Sequence, residues 1–190
     1  MASQPHQPQI DRLVIGIAGR IGSGKTTVGK YLEGKFGYQY LRYSAVLADW
    51  NGLNPENKAD LQKIGWVVMI DGLQSELNRR LIAEILPDRS VAVDGLRHLL
   101  DFEMLRETFN DSFRLLFVET PPRLRFERLQ ARGKYQTYAS FSSADGHPVE
   151  RQIDLLREKS SCEISNVDSI EHLCTEVDQC ISRFQKEGQA

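Results

Sequence analysis

The 190-residue sequence lacks the features that mark several whole classes of protein. Its three cysteines, Cys162, Cys174 and Cys180, all fall near the end of the chain. None stands in a Cys-x-x-Cys or Cys/His spacing suited to zinc, so free thiols in a reducing compartment are expected. No apolar run approaches the roughly eighteen residues a membrane span needs. The opening MASQPHQPQI lacks the basic start and apolar stretch of a secretory signal. Rich in Gln and Pro, residues 1–10 are expected to form a short disordered tail, and the protein to be cytoplasmic. An excess of charge is also missing: 24 Lys and Arg against 26 Asp and Glu leave a net charge of -2. Bulk charge therefore gives no reason to expect binding to nucleic acid or anionic membrane. No repeat or linker divides the chain, so residues 11–190 are read as a single domain. Nothing indicates the oligomeric state.

What is present is an alternation of short apolar runs with helical patterns. Residues 13–18 (LVIGIA) are almost wholly apolar, as in a strand buried on both faces of a parallel sheet. A helix is expected from Lys25 to Phe36 and a second strand from Tyr38 to Leu41. Residues 55–86 read as helix, broken near Asp71-Gly72. Ser90 to Asp94 is a third strand, Leu99 to Phe109 a helix and Phe113 to Val118 a fourth strand. A helix then starts at Pro121-Pro122 and runs to about Arg132. The polar, aromatic stretch 133–147 reads as a mobile loop, and the segment 132–148 as a lid. Beyond it lie a helix from Pro148, a short strand at Glu163 to Ser165, and a last helix carrying Leu173, Val177, Ile181 and Phe184 on one face. Such alternation predicts a three-layer α/β/α sandwich around a sheet of about five parallel strands. Ligands in such folds sit at the carboxyl ends of the strands.

At the first of those ends, Gly19-Arg20-Ile21-Gly22-Ser23-Gly24-Lys25-Thr26 satisfies G-x-x-x-x-G-K-[ST] in full. Gly19, Gly22 and Gly24 let the backbone of Ile21, Ser23 and their neighbours wrap a phosphate with N–H groups turned inward. The helix beginning there, through Thr26 and Thr27, adds its positive dipole end. Lys25 reaches the β- and γ-phosphates, and the Thr26 hydroxyl is placed to ligate magnesium. The expected ligands are therefore ATP and Mg2+.

Asp94, which closes an apolar strand, is the second candidate metal residue. Gly95 follows it, where motor-type ATPases usually place a water-activating Glu, so the pattern favours transfer over hydrolysis. Phosphoryl transfer also needs cations around the spread negative charge. Arg97 stands at the same sheet edge. Arg128 and Arg132 share a helix face at i, i+4, where like charges repel unless an anion lies between them. Arg123 and Arg125 are as readily solvated charge. Two GTPase-like strings, Asp49-Trp50-Asn51-Gly52 and Asn57-Lys58-Ala59-Asp60, lie too close together to read guanine, and the second is better understood as a helix start.

The phosphate loop, AVDGLR, RFERLQAR and ISNVDSIEHL, in this order, resemble the P-loop nucleotide kinases, particularly dephospho-coenzyme A kinases and deoxynucleoside monophosphate kinases. The resemblance implies a kinase fold with Asp94 by magnesium, Arg97 on the acceptor, Arg128 and Arg132 in the lid, and Asn166 bordering the adenine. It implies a small nucleotide-like acceptor. The sequence departs from both groups after the second strand. Leu41-Arg42-Tyr43-Ser44-Ala45 offers neither the Asp-x-Asp that can activate a hydroxyl nor an arginine after Ser44. A phosphate acceptor needs no general base, which slightly favours a monophosphate. Tyr40, Tyr43 and Trp50 are either base-stacking or core residues. A hydroxyl kinase and an ATP-binding regulator with little chemistry remain alternatives.

Overall fold

The computed structural model describes residues 12–55 and 57–188; the expected N-terminal tail lies outside them. Five strands, β1 (Val14–Ala18), β2 (Gln39–Arg42), β3 (Val91–Leu96), β4 (Phe113–Glu119) and β5 (Cys162–Ser165), form one sheet in the order β2-β3-β1-β4-β5. Every pairing is parallel. All five residues of β1 are buried. Their alternation divides the core: Val14 and Ala18 face one layer, Ile15 and Ile17 the other.

Helices α1 (Lys25–Phe36) and α9 (Ile170–Glu187) supply Val28, Leu32, Leu173, Val177, Ile181 and Phe184 to one layer. The opposite layer is built from α2 (Tyr43–Trp50), α3 (Lys58–Ile70), α4 (Gln74–Ala83), α5 (Leu99–Phe109) and α8 (Pro148–Arg157). The result is the expected α/β/α sandwich. Because the connections from β1 leave toward β2 on one side and β4 lies on the other, the carboxyl end of β1 opens onto a crevice.

Two expectations change and one open alternative closes. The stretch read as a loop contains α7 (Tyr138–Asp145), capped by the Thr137 hydroxyl, which accepts from Ser140 N–H. It holds down one fully buried side chain, Phe141, against Phe126 and Leu129 of α6 (Pro122–Ala131). A helix with so narrow an apolar face leaves little periodicity to read. Second, Cys162 and Cys180 are joined as a disulfide, Cα–Cα 6.3 Å, because α9 packs on β5; Cys174 is free. Tyr43 and Trp50, left open between base stacking and core, take the core reading. Tyr43 is buried with its hydroxyl on Asn78, and Trp50 packs at the core margin under Arg80. Asn57 caps α3 through Asp60 N–H, which agrees with a helix start and not a guanine-reading loop. Among the described residues no helix is long and apolar enough to cross a membrane.

Candidate nucleotide and acceptor site

The loop between β1 and α1 turns through three glycines at positive φ, Gly19 (146°), Gly22 (80°) and Gly24 (106°). A side chain at Gly24 would put its Cβ 2.2 Å from the Asn166 amide, and one at Gly19 would lie 2.5 Å from the Val118 carbonyl. These positions are closed to other residues by both backbone and space. The loop is held from β5 and from the β4–α6 turn. Asn166 Nδ2 donates to the Ser23 carbonyl at 2.7 Å, and the Thr120 hydroxyl donates to the same oxygen at 3.0 Å. Ser23 Oγ is buried with no partner among the described residues, a polar atom inside the cradle left for a ligand to satisfy.

Lys25 Nζ donates to the Gly19 and Arg20 carbonyls at 2.7 and 3.0 Å, so its ammonium lies over the loop. Burial, reinforced by Arg97 and Arg125 and opposed by Asp94 and Glu150, pushes it down to about 8. Thr26 Oγ1 donates to Asp94 Oδ2 at 2.9 Å, and the Tyr40 hydroxyl donates to the same oxygen at 2.7 Å. Tyr40 reaches it because Gly29 leaves room on α1: a Cβ there would meet its ring at 2.3 Å. Burial, then the Asp94 charge, drives the Tyr40 phenol upward, so it remains a donor. A hydroxyl beside one carboxylate is a donor pair that suits a hard cation completed by phosphates and water.

Two flanks diverge from this centre. On one, Gly22, Gly24, Thr27, Arg128, Arg132 and Asn166 are among the residues lining a cavity of about 150 Å³. Arg128 donates to the Asn166 carbonyl at 3.0 Å, and burial together with Arg132 lowers its guanidinium. Neither arginine has an ion-pair partner among the described residues. The i, i+4 pair thus converges on open space beside the loop.

On the other flank three arginines are paired, while Arg42, half-buried beside Asp94 at the end of β2, has no ion pair among the described residues. Arg20 donates to Asp154 at 2.9 and 2.6 Å, and lies 3.3 Å from Asp145. Arg125, 2% exposed, donates to the Thr120 and Ile21 carbonyls and to both Asp145 oxygens. Arg97 donates to Glu150, whose other oxygen accepts from Ile21 N–H at 3.1 Å. The Arg97 backbone is itself fixed, since its N–H and that of His98 donate to buried Asp101, which Asn78 and Gln74 hold in turn.

The structure therefore gathers Gly19 to Thr27, Asp94, Arg97, Arg128, Arg132 and Asn166 around one crevice. Arg123 points outward and pairs with Glu127. Sequence reasoning did not find Asp145, Glu150 or the structural role of Arg125. Asp145 lies where a loop was expected and Glu150 in the helix expected from Pro148, and the only available signal was their acidity near an arginine-rich helix.

A family profile described as AAA domain matches residues 15–166. A UPF0200 protein of Pyrobaculum aerophilum is 30% identical over 132 residues, covering 68% of this chain and 71% of the relative. A Thermococcus onnurineus protein whose name provisionally assigns it as an adenylate kinase is 29% identical, over 64% of this chain and 56% of its own length. Among solved structures, a gluconokinase from Sinorhizobium meliloti superimposes with a TM-score of 0.61 at 16% identity, over 94% of this chain and 97% of that one. The fold is that of a kinase-like P-loop protein.

Proposed function

This chain belongs to the AAA-domain family, with a kinase-like P-loop fold, and from that premise we propose that it is a kinase. It transfers the terminal phosphoryl group of Mg-ATP to a nucleotide-like small molecule. The observation that carries this reading is the convergence of Lys25, the Thr26–Asp94 pair and Arg97 on one sheet edge, with Gly95 after the aspartate. The loop N–H groups and Lys25 would hold the β- and γ-phosphates, and Arg128, Arg132 and Asn166 the nucleoside side. Thr26 and Asp94 would hold magnesium, which when bound neutralises charge on the phosphate oxygens.

Catalysis on this reading is positioning and electrostatics. Arg132 faces developing negative charge, Tyr40 keeps Asp94 oriented through its hydroxyl, and the packed α6–α7 unit excludes water. Release of ADP from Mg-ATP, measured with nucleoside and deoxynucleoside monophosphates and dephospho-coenzyme A, tests it. Turnover well above the acceptor-free rate is expected with at least one acceptor, and a flat panel together with tight ATP binding would replace it.

That second outcome belongs to the regulator reading, in which ATP is bound and sensed with little transfer. The pairing of Arg20, Arg97 and Arg125 with internal carboxylates favours it, since cations already neutralised are less free to act on an acceptor. The unpaired Arg128 and Arg132 favour the kinase.

A further inference from the structure

Glu150 stands in the first turn of α8, where a carboxylate is favoured by the helix dipole and normally remains in water. Here it is 3% exposed. Burying a carboxylate is costly unless its oxygens are matched. Those given partners here are matched by parts of the site: Oε2 accepts from Ile21 N–H of the phosphate loop at 3.1 Å, and Oε1 from Arg97. Its charge is felt by Lys25 and by Tyr135. A buried carboxylate thus lies between the loop that holds phosphates and the arginine at the acceptor edge.

That position answers the gap left after β2, where no acid follows Leu41 until Asp49. Resting on the kinase reading above, we propose that Glu150 receives the acceptor's hydroxyl and makes this a kinase for an alcohol on a nucleotide-like molecule, not for a phosphate. Three of the flank's arginines agree; Arg42, at the end of β2 beside Asp94, stands outside these pairs. Arg20, Arg97 and Arg125 are matched by Asp154, Glu150 and Asp145, which leaves these arginines no spare positive charge for an acceptor phosphate. A hydroxyl needs instead an oxygen that accepts its proton.

In the step, the acceptor oxygen bonds to the γ-phosphorus while the bond from that phosphorus to the β–γ bridging oxygen breaks. The electron pair leaves on the β-phosphate of ADP. The hydroxyl proton passes to Glu150 and from there to solvent. Arg97, already beside the carboxylate, is left facing the transferred group.

The test is turnover with Mg-ATP against neutral nucleosides, dephospho-coenzyme A and nucleoside monophosphates, with the new bond identified by phosphorus NMR. A phosphate monoester is expected from the wild type. Glu150→Gln should lower its turnover about 100-fold or more, within the range of general-base effects. The Gln carbonyl oxygen can still accept from Ile21 N–H, so ADP affinity should fall less than turnover does, while the thermal midpoint drops with the loss of the buried Arg97 pair. Glu150→Asp keeps the charge but withdraws it, and should lose a smaller part; it decides the matter if the Gln variant does not fold. A diphosphate product, or wild-type turnover in a folded Glu150 variant, overturns the assignment of Glu150 and leaves the kinase intact. A wild type that binds Mg-ATP but transfers to no acceptor defeats the kinase reading, and this inference with it.

Discussion

The two flanks of the phosphate loop carry similar numbers of arginines and treat them in opposite ways. On the nucleotide flank Arg128 and Arg132 converge on a cavity of about 150 Å³ that Asp168 also lines, and neither arginine has an ion pair among the described residues. On the acceptor flank Arg20, Arg97 and Arg125 each meet a carboxylate from the segment Asp145 to Asp154. An arginine held by a carboxylate fixes structure; an arginine held by nothing but its own stem and a carbonyl is available to a ligand. Arg125 makes the point within one helix. It shares α6 with Arg128, yet its rotation about the helix axis turns it inward, where it clamps Ile21, Thr120 and Asp145 together.

Lys25 lies between the flanks, and its loss should have the largest effect on either reading of the protein. Lys25→Ala is expected to lower ATP turnover, or ATP affinity if there is no turnover, by roughly 10³-fold, about 4 kcal/mol. Unchanged affinity and turnover would remove the premise that both flanks serve a triphosphate. Next in size is Asp145→Ala, which leaves the buried Arg125 without its carboxylate. Breaking such a pair should lower the unfolding free energy by about 3 kcal/mol, read by denaturant titration. The pH dependence should agree. Burial alone would raise the Asp145 carboxyl, but the hydrogen bonds and charges of Arg125 and Arg20 outweigh it and hold the group below its ordinary 3.8. Its contribution is therefore full above that value and is lost as the pH falls through the lower folded one. Asp145→Ala should lack this acid-side loss. A variant as stable as the wild type would mean that the acceptor flank is no more structural than the other.

How much of this could be read from the chain depends on distance along it. The phosphate loop was legible because its glycines, Lys25 and Thr26 are contiguous, with β1 before and α1 after. Asp94 was legible because it sits near the end of a buried apolar run, and α9 because Leu173, Val177, Ile181 and Phe184 repeat at helical spacing. The acceptor flank was not, because its partners are far apart: Glu150 meets a backbone N–H 129 residues earlier, and Arg20 meets Asp154 across 134. Glu150 and Asp154 stand on α8, whose helix was legible but not its contacts, and Asp145 ends α7, which with its single buried Phe141 resembles a loop in composition. The Cys162–Cys180 bridge escaped for the same reason, since an 18-residue separation says nothing until α9 lies on β5. Three arginines on α6 and a fourth at its end were visible, but which of them turned inward was not.

The smallest effect is also the sharpest test of the contrast. Arg132 is exposed at the end of α6, where it lines the cavity with Arg128 and Asp168 and has no ion pair among the described residues. Removing it should relieve repulsion on Arg128 and expose no buried group, so Arg132→Ala should change the unfolding free energy by less than about 0.5 kcal/mol. Its turnover should nevertheless fall by roughly 10-fold, about 1.4 kcal/mol, and more than its ATP affinity does, because a cation aimed at developing charge acts in the transition state. Asp145→Ala shows the reverse profile, large in stability. If Arg132→Ala instead lost stability and kept its turnover number, the nucleotide flank would be as structural as the acceptor flank, and exposure without an ion pair would no longer distinguish a ligand-facing arginine in this fold.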